Sequence, residues 1–490
     1  MNKSFKDYLK EIGEVGRVQS IVQSIVYVSG LPGARPNEML LGEQGQRGIV
    51  QSVSGNSVEV LMLDTHNLRH NLALARTNET FKINISPNIL GRVVNAFGQP
   101  IDGLGPITGE KVAGDIYPEA PGISKRVKVN SPMETGVTIV DLLVPLGYGQ
   151  RELVIGDKKT GKTTFLMQSI SNQAKIGTIC IYVSIGKRQD DVKSIENYLR
   201  KSGAIASSIL VVSDSSDPAT LVFLSPFTGM ALAEYFRDSG KNVLIIFDDL
   251  STHARFYREI SLLSKRAPGR SSYPGDIFHI HAALLERAGQ IKSENGSIVS
   301  ITSLPVAETL EGDITGYIQT NLMAITDGHI FFDIDEFRKG QRPSINYSLS
   351  VSRVGNQTKD QLDKELAQNL REVLARYKKD LEIAKFGVEL PELTKREIQR
   401  GGKIELIFNQ DSETLITREL QIFLFGLLFA GFWDNKNIGM VKVDLIKLVE
   451  KYKKGELKQL AGQIEKIQTF DQLVSFANKY ANSVTETLYV

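Results

Sequence analysis

The stretch Arg151 to Ile170, RELVIGDKKTGKTTFLMQSI, decides the fold. It opens on an apolar strand candidate, Glu152 to Ile155, and continues as a helix-compatible run from Lys162. Between them lies Gly156-Asp157-Lys158-Lys159-Thr160-Gly161-Lys162-Thr163, a G-x-x-x-x-G-K-T match followed by Thr164. A loop that wraps a phosphate points several backbone N–H groups inward, using φ values that side chains disfavour and glycine tolerates. The N-terminus of the following helix adds its positive end. Lys162 is then expected to reach the β- and γ-phosphates, and the Thr163 hydroxyl to bind magnesium, so ATP or ADP with magnesium is the expected ligand. An accidental glycine-lysine turn would not need a strand before it and a helix after it.

Outward from this loop, apolar strand candidates alternate with helical stretches from about Asn78 to Asn356. They are Ile179 to Ile185, Ile209 to Val212, Val243 to Phe247, Ser297 to Thr302 and His329 to Phe332. Such alternation predicts a mostly parallel sheet covered by helices. The run Val243 to Asp249 delivers carboxylates at a strand's C-terminal end, where α/β sheets place ligands, and Asp248 is the candidate to hold magnesium through water. Apolar strands ending in Asp also simply cap the next helix, so the pairing with the glycine-rich loop carries this expectation. Before the loop, from Gly16 to about Thr77, short β-branched segments (Arg17 to Val28, Arg47 to Val53, Ser57 to Leu63) predict a small all-β module. After Gln357 the chain turns charged and helical, as in KDQLDKELAQNLREVLARYKKDLEIAKF from Lys359. Three domains are expected: a β-barrel at 1–78, an α/β P-loop domain at 79–357 and a helical domain at 358–490.

Composition bounds the rest. The 490 residues are 41% hydrophobic and 23% charged, ordinary globular usage. Lys+Arg 58 against Asp+Glu 56 leaves a net charge of +2, too little to attract nucleic acid or an anionic membrane by its overall field. The single cysteine, Cys180, sits in an apolar run and fits a reducing cytoplasm. The opening MNKSFKDYLKEIG lacks a signal-peptide core. The run LQIFLFGLLFAGFW from Leu420 falls short of the roughly 20 residues that span a bilayer, so a core helix is expected there. Membrane association, on the inner face of the cell membrane, is expected only through partners.

Several blocks together resemble the alpha subunit of F1-type ATPases, a family with a RecA-like P-loop core. They are LGRVVNAFGQPIDG from Leu90, ETGVTIVDLLVPLGYGQRELVIGDKKTGKTT from Glu134, IIFDDLS from Ile245, PGRSSYPGDIFHIHAALLERA from Pro268 and RPSINYSLSVSRVG from Arg342. The phosphate loop is similar to the alpha form GDRQTGKT rather than the glycine-rich loop of beta chains. In YVSIGKRQDDV, Lys187 stands where beta chains carry the glutamate that activates water. A lysine ammonium has no lone pair with which to orient water, although it can bind a phosphate as a point charge. Hydrolysis on this chain's own nucleotide is therefore expected to be absent or very slow. SVSRVG, Ser350 to Gly355, is the alpha-type block whose arginine reaches the γ-phosphate of a neighbouring beta chain, so the resemblance implies Arg353 as an arginine finger.

The resemblance further implies an alternating hexamer of three alpha-type and three beta-type chains around a gamma-type shaft. It also implies an adenine pocket at Arg342-Pro343 with Gln410, where the second family glutamine is replaced by Ser412. Lys158 and Lys159 replace an arginine and a glutamine, and Ala324 replaces a serine of the interface. An N-terminal arm shorter than the family's suggests an F1-like motor serving other machinery, such as gliding, as the alternative to an ATP synthase. A self-sufficient hexameric ATPase would need an acid at position 187, and an RNA translocase would need a basic, aromatic single-strand groove.

Overall fold

The computed structural model describes residues 3–384, 390–457 and 462–489. The expected helical continuation at Lys385 and Phe386, and the chain's two extreme ends, lie outside the described residues. The chain forms two compact units that interleave along the sequence. One comprises Met1–Val127, Gly177–Glu308 and Ile314–Thr326; the other comprises Lys128–Ile176, Thr309–Asp313 and Asp327–Val490.

The first unit begins with the helix Phe5–Ile12, started by a capping box in which Ser4 and Asp7 exchange hydrogen bonds. A closed six-stranded antiparallel barrel follows. Its strands are β1 (Val15–Val22), β2 (Ile25–Ser29), β3 (Glu38–Gly42), β4 (Arg47–Ser54), β5 (Ser57–Met62) and β6 (Ala73–Thr80), in the order β1-β2-β5-β4-β3-β6. Pairing of β6 with β1 closes the barrel and removes the sheet edge. Val18, Val26, Val28, Leu40, Val60 and Leu74 fill the interior.

The β-branched segment Arg17 to Val28 is a hairpin of two strands. Val22 pairs with Ile25 across a two-residue turn in which Gln23 takes φ +54°. Such turns usually advertise themselves with Asn-Gly or Asp-Gly; Gln-Ser gives no such signal.

The α/β part of the first unit is a mostly parallel sheet in the order Ile298–Glu308, Val243–Asp248, Ile179–Lys187, Ser208–Asp214, Val93–Val94. Gly289–Lys292 adds antiparallel to Ile298–Glu308. Val243–Asp248 is buried throughout, as continuous apolar strands covered on both faces should be. Among the described residues one helix, Ala219–Asp238, is long and apolar enough to cross a membrane, and 83% of its apolar window is buried inside the protein. Its continuous apolarity belongs to a core helix, and the sequence reading had not singled it out.

In the second unit the strand Glu152–Gly156 runs parallel to Gly328–Phe332, in register from Glu152 opposite Gly328 to Gly156 opposite Phe332. The short strand Val351–Ser352 pairs antiparallel on the far side of Gly328–Phe332. Pro132–Met133 and Leu146–Gly147 form a separate two-stranded antiparallel sheet, and the C-terminal part is helical, through Gln361–Ala384, Glu392–Phe408, Arg418–Phe429, Ile438–Lys454 and Phe470–Tyr489. The apolar run from Leu420 lies in the helix Arg418–Phe429, with Leu420 to Leu428 buried. Nearby Trp433 is buried and donates its ring N–H to Asp444 at 3.1 Å.

Candidate nucleotide site

The phosphate loop lies in the second unit, between the strand Glu152–Gly156 and the helix Lys162–Lys175. Gly161 is the helix N-cap at φ +98°, a conformation that favours glycine. Lys159 also sits in the left-handed region, at φ +63°, which costs a non-glycine residue on the order of 1–3 kcal/mol and persists only where surrounding contacts fix the loop. Those contacts are present. The Asp157 carboxylate accepts from the Thr309 hydroxyl at 2.5 Å and from the Gly312 N–H at 3.0 Å. The Thr160 hydroxyl donates to the Asp157 carbonyl at 2.7 Å, and the Ser344 hydroxyl donates to the Thr160 carbonyl at 2.7 Å. Asp157 thus spends its negative charge holding the loop to the 309–312 turn.

Lys162 is buried and donates to the carbonyls of Gly156 and Asp157 at 2.7 and 2.6 Å, curled over its own loop. Lys158, Lys159, Thr163 and Thr164 are exposed. Arg342 stacks on Phe337, with its guanidinium carbon 3.6 Å from the ring centroid, and donates to the Phe337 and Gln341 carbonyls, both at 2.8 Å. The following Pro343 is buried.

The backbone N–H of Gln410 donates to the Arg342 carbonyl at 2.7 Å, which brings these two expected residues together. The Gln410 side-chain amide is committed within the protein. Its oxygen accepts from the Thr138 N–H and hydroxyl at 3.1 and 3.0 Å, and its nitrogen donates to the Gly136 and Thr414 carbonyls at 2.7 and 2.5 Å. An amide has two donors and two acceptor sites, so this one is saturated.

The first unit holds Lys187 and Asp248. Strand pairing sets Ser184 opposite Asp248, and the Lys187 ammonium lies 3.0 Å from the Asp248 carboxylate. The other Asp248 oxygen accepts from the buried Tyr182 hydroxyl, whose proton burial holds in place by pushing the phenol well above its usual range. Burial alone would lower the Lys187 pKa, but Asp248 and then Asp249 outweigh it and raise it, so the lysine is a locked cation. Asp249 caps the helix Leu250–Leu263 by accepting from the Thr252 N–H at 2.6 Å. Its carboxyl is raised to about 6 by burial and then by the charges of Glu308 and Asp248.

Magnesium is the metal this chemistry implies, and each unit, taken by itself, carries a hard oxygen donor. Thr163 offers an exposed hydroxyl in the first helical turn, and Asp248 keeps about two of its four lone-pair sites beyond Tyr182 and Lys187. Among the described residues no group of three or more His, Cys, Asp or Glu could hold a metal ion.

Arg353 differs from Lys162, Lys187 and Arg342. It is exposed, and among the described residues no carboxylate or carbonyl accepts from its guanidinium, whereas its backbone N–H donates to the Asp327 carbonyl at 3.3 Å. Thr309, Gly312, Ser344, Tyr182 and Thr138 were not expected at the site. Ser344, Thr138 and Tyr182 had a signal, as members of the quoted blocks.

A phosphate loop between strand and helix defines a P-loop nucleotide-binding protein. The nucleotide-binding domain of the ATP synthase alpha/beta family matches residues 136–352, and the C-terminal domain of the ATP synthase alpha/beta chain matches residues 357–480. The ATP synthase subunit alpha of Helicobacter pylori (strain Shi470) is 38% identical over 463 residues, 94% of this chain and 92% of that protein. Those of Neorickettsia sennetsu and Helicobacter acinonychis are 38% and 40% identical over 89% and 88% of this chain, covering 88% and 86% of theirs. The chain belongs to the ATP synthase alpha/beta family, as an alpha-type member.

Proposed function

We propose that this chain is the non-hydrolysing, ATP-binding subunit of an F1-type rotary hexamer, and that it lends Arg353 to the catalytic site of an adjacent beta-type subunit. Residues Gly156 to Thr164, with Arg342, Pro343 and Gln410, hold the chain's own ATP or ADP. Thr163 and Asp248 are the residues that would hold the magnesium ion of that nucleotide. When bound, it neutralises charge on the phosphates. Gln410 acts there by fixing the Arg342 carbonyl rather than through its amide. Lys187, occupied by Asp248, neither orients nor deprotonates water. The three-domain division at 1–78, 79–357 and 358–490 accompanies this reading, as do a gamma-type shaft and membrane contact made only by partners.

The observation that carries the proposal is the exposed guanidinium of Arg353 on a strand end whose backbone is hydrogen-bonded. Charge spreads over the phosphoryl oxygens in the transition state, and a forked cation supplied from a neighbouring chain stabilises it. Steady-state ATP hydrolysis by the complex with its beta-type partner should fall roughly 10³-fold or more in Arg353→Ala, with the isolated wild-type chain inactive. Full activity in the variant would remove the arginine from the mechanism.

A further inference from the structure

We infer that Gln150 and Glu152, neither of which is in the phosphate loop, are positioning residues that set where Arg353 stands. The inference rests on the reading of Arg353 given above and assigns the part of the fold that aims it. Gln150 and Glu152 are fully buried and Ser352 nearly so. The Gln150 amide nitrogen donates to Glu152 at 2.6 Å and to the Ser352 hydroxyl at 3.1 Å, while its oxygen accepts from the Gly147 N–H at 2.9 Å. Ser352 in turn donates to the Pro145 carbonyl at 2.5 Å. Ser352 immediately precedes Arg353, so this polar chain ends at the arginine's own backbone.

The residue between them clasps the neighbouring strand. Arg151 forms a two-pronged ion pair with Asp327, at 2.8 and 3.2 Å, and its N–H donates to the same carboxylate at 2.9 Å. The Asp327 carbonyl accepts from the Arg353 N–H. Three consecutive residues, Gln150 to Glu152, therefore hold both strands that converge on Arg353, and the same segment runs on into the phosphate loop four residues later.

Glu152 is the least expected member. One carboxyl oxygen is buried with no hydrogen-bond partner among the described residues, a costly arrangement that calls for a function. The carboxyl lies against the Gly328 backbone, where a methyl group would stand 2.7 and 2.8 Å from its two oxygens. Burial pushes it well above the usual carboxylate range, against the pull of the Gln150 hydrogen bond; the charges of Asp327 and then Arg353 act in opposite directions. Its hydrogen bond from Gln150 and its packing against Gly328 hold in place the strand that pairs with Val351–Ser352 beside the arginine. Displacing a catalytic group by about 1 Å can cost on the order of 10²-fold in rate.

The test is a double-mutant cycle on ATP hydrolysis by the complete complex with the beta-type partner, using MgATP. Glu152→Ala should lower kcat by about 10- to 100-fold, more than it changes KM, with complex assembly and nucleotide content of the chain retained. Glu152→Gln, which keeps the shape and an acceptor for the Gln150 amide, should lose less. In an Arg353→Ala background Glu152→Ala should have no further effect, because its target is gone. If Glu152→Ala does not assemble, Ser352→Ala removes the hydroxyl link and carries the same expectations. A wild-type rate in both Glu152→Ala and Ser352→Ala, or the same fold-loss with and without Arg353, would overturn the inference. Undiminished turnover in Arg353→Ala alone would instead overturn the proposed function.

Discussion

Lys187 and Arg353 are both cations expected near phosphate, and their surroundings are opposite. Lys187 ends a buried strand and is paired at 3.0 Å with a carboxylate that is itself 5% exposed. Arg353 ends a short strand, is exposed, and has only its backbone tied down. A cation with a resident counter-ion is an internal part of its fold, because removing it leaves a buried anion alone. A cation without one has its charge available to an anion that comes from outside. In the proposed function, this difference lets one chain bind a nucleotide without cleaving it and lend charge to a second site.

This contrast can be broken by measuring stability. Lys187→Ala should cost the most, about 3 kcal/mol or more, because Asp248 is left buried beside Asp249 with no cation. Chemical denaturation would read this as a large drop in midpoint, and an unchanged midpoint would mean the pair is loosely held.

Asp249→Asn should come next, and its effect should depend on pH. The Asp249 carboxyl is raised from 3.8 to about 6, so between those values the folded state binds more protons than the unfolded one. Stability is then lost as pH rises through this window, by up to about 3 kcal/mol for about two units. Asparagine caps the helix comparably and does not ionise, so the variant should gain on the wild type from pH 4 to 6. A constant difference across that range would show that Asp249 is not the group responsible.

Arg353→Ala should move stability least, by no more than about 0.5 kcal/mol, as for an exposed residue without partners. A loss comparable to that of Lys187→Ala would mean that the arginine is structural after all.

Much of this was legible in the sequence, for identifiable reasons. The strand Glu152–Gly156 and the helix from Lys162 announced themselves because a phosphate loop needs glycines at fixed offsets. Val243–Asp248 was visible as a continuous apolar run ending in acid. The hairpin turn at Gln23 was not, because its left-handed residue is not a glycine or asparagine. The expected residues Asp157 and Gln410 were picked out by position, but which atoms they use was hidden. Asp157 turns to Thr309 and Gly312, and Gln410 to Gly136 and Thr138, partners that lie far away in sequence. The Gln150–Glu152–Ser352 chain was illegible for the same reason, since it joins residues some 200 positions apart.

The central claim is that this chain's arginine works on a neighbour's nucleotide while its own phosphate loop only binds. The most direct test compares ATP hydrolysis by complexes carrying Arg353→Ala or Lys162→Ala, each assembled with wild-type beta-type partner. The account predicts a loss of roughly 10³-fold or more in Arg353→Ala, and in Lys162→Ala a loss of the chain's own bound nucleotide with turnover far above that of the arginine variant. Collapse of turnover in Lys162→Ala with activity retained in Arg353→Ala would show that the chain hydrolyses its own ATP, and would contradict the account.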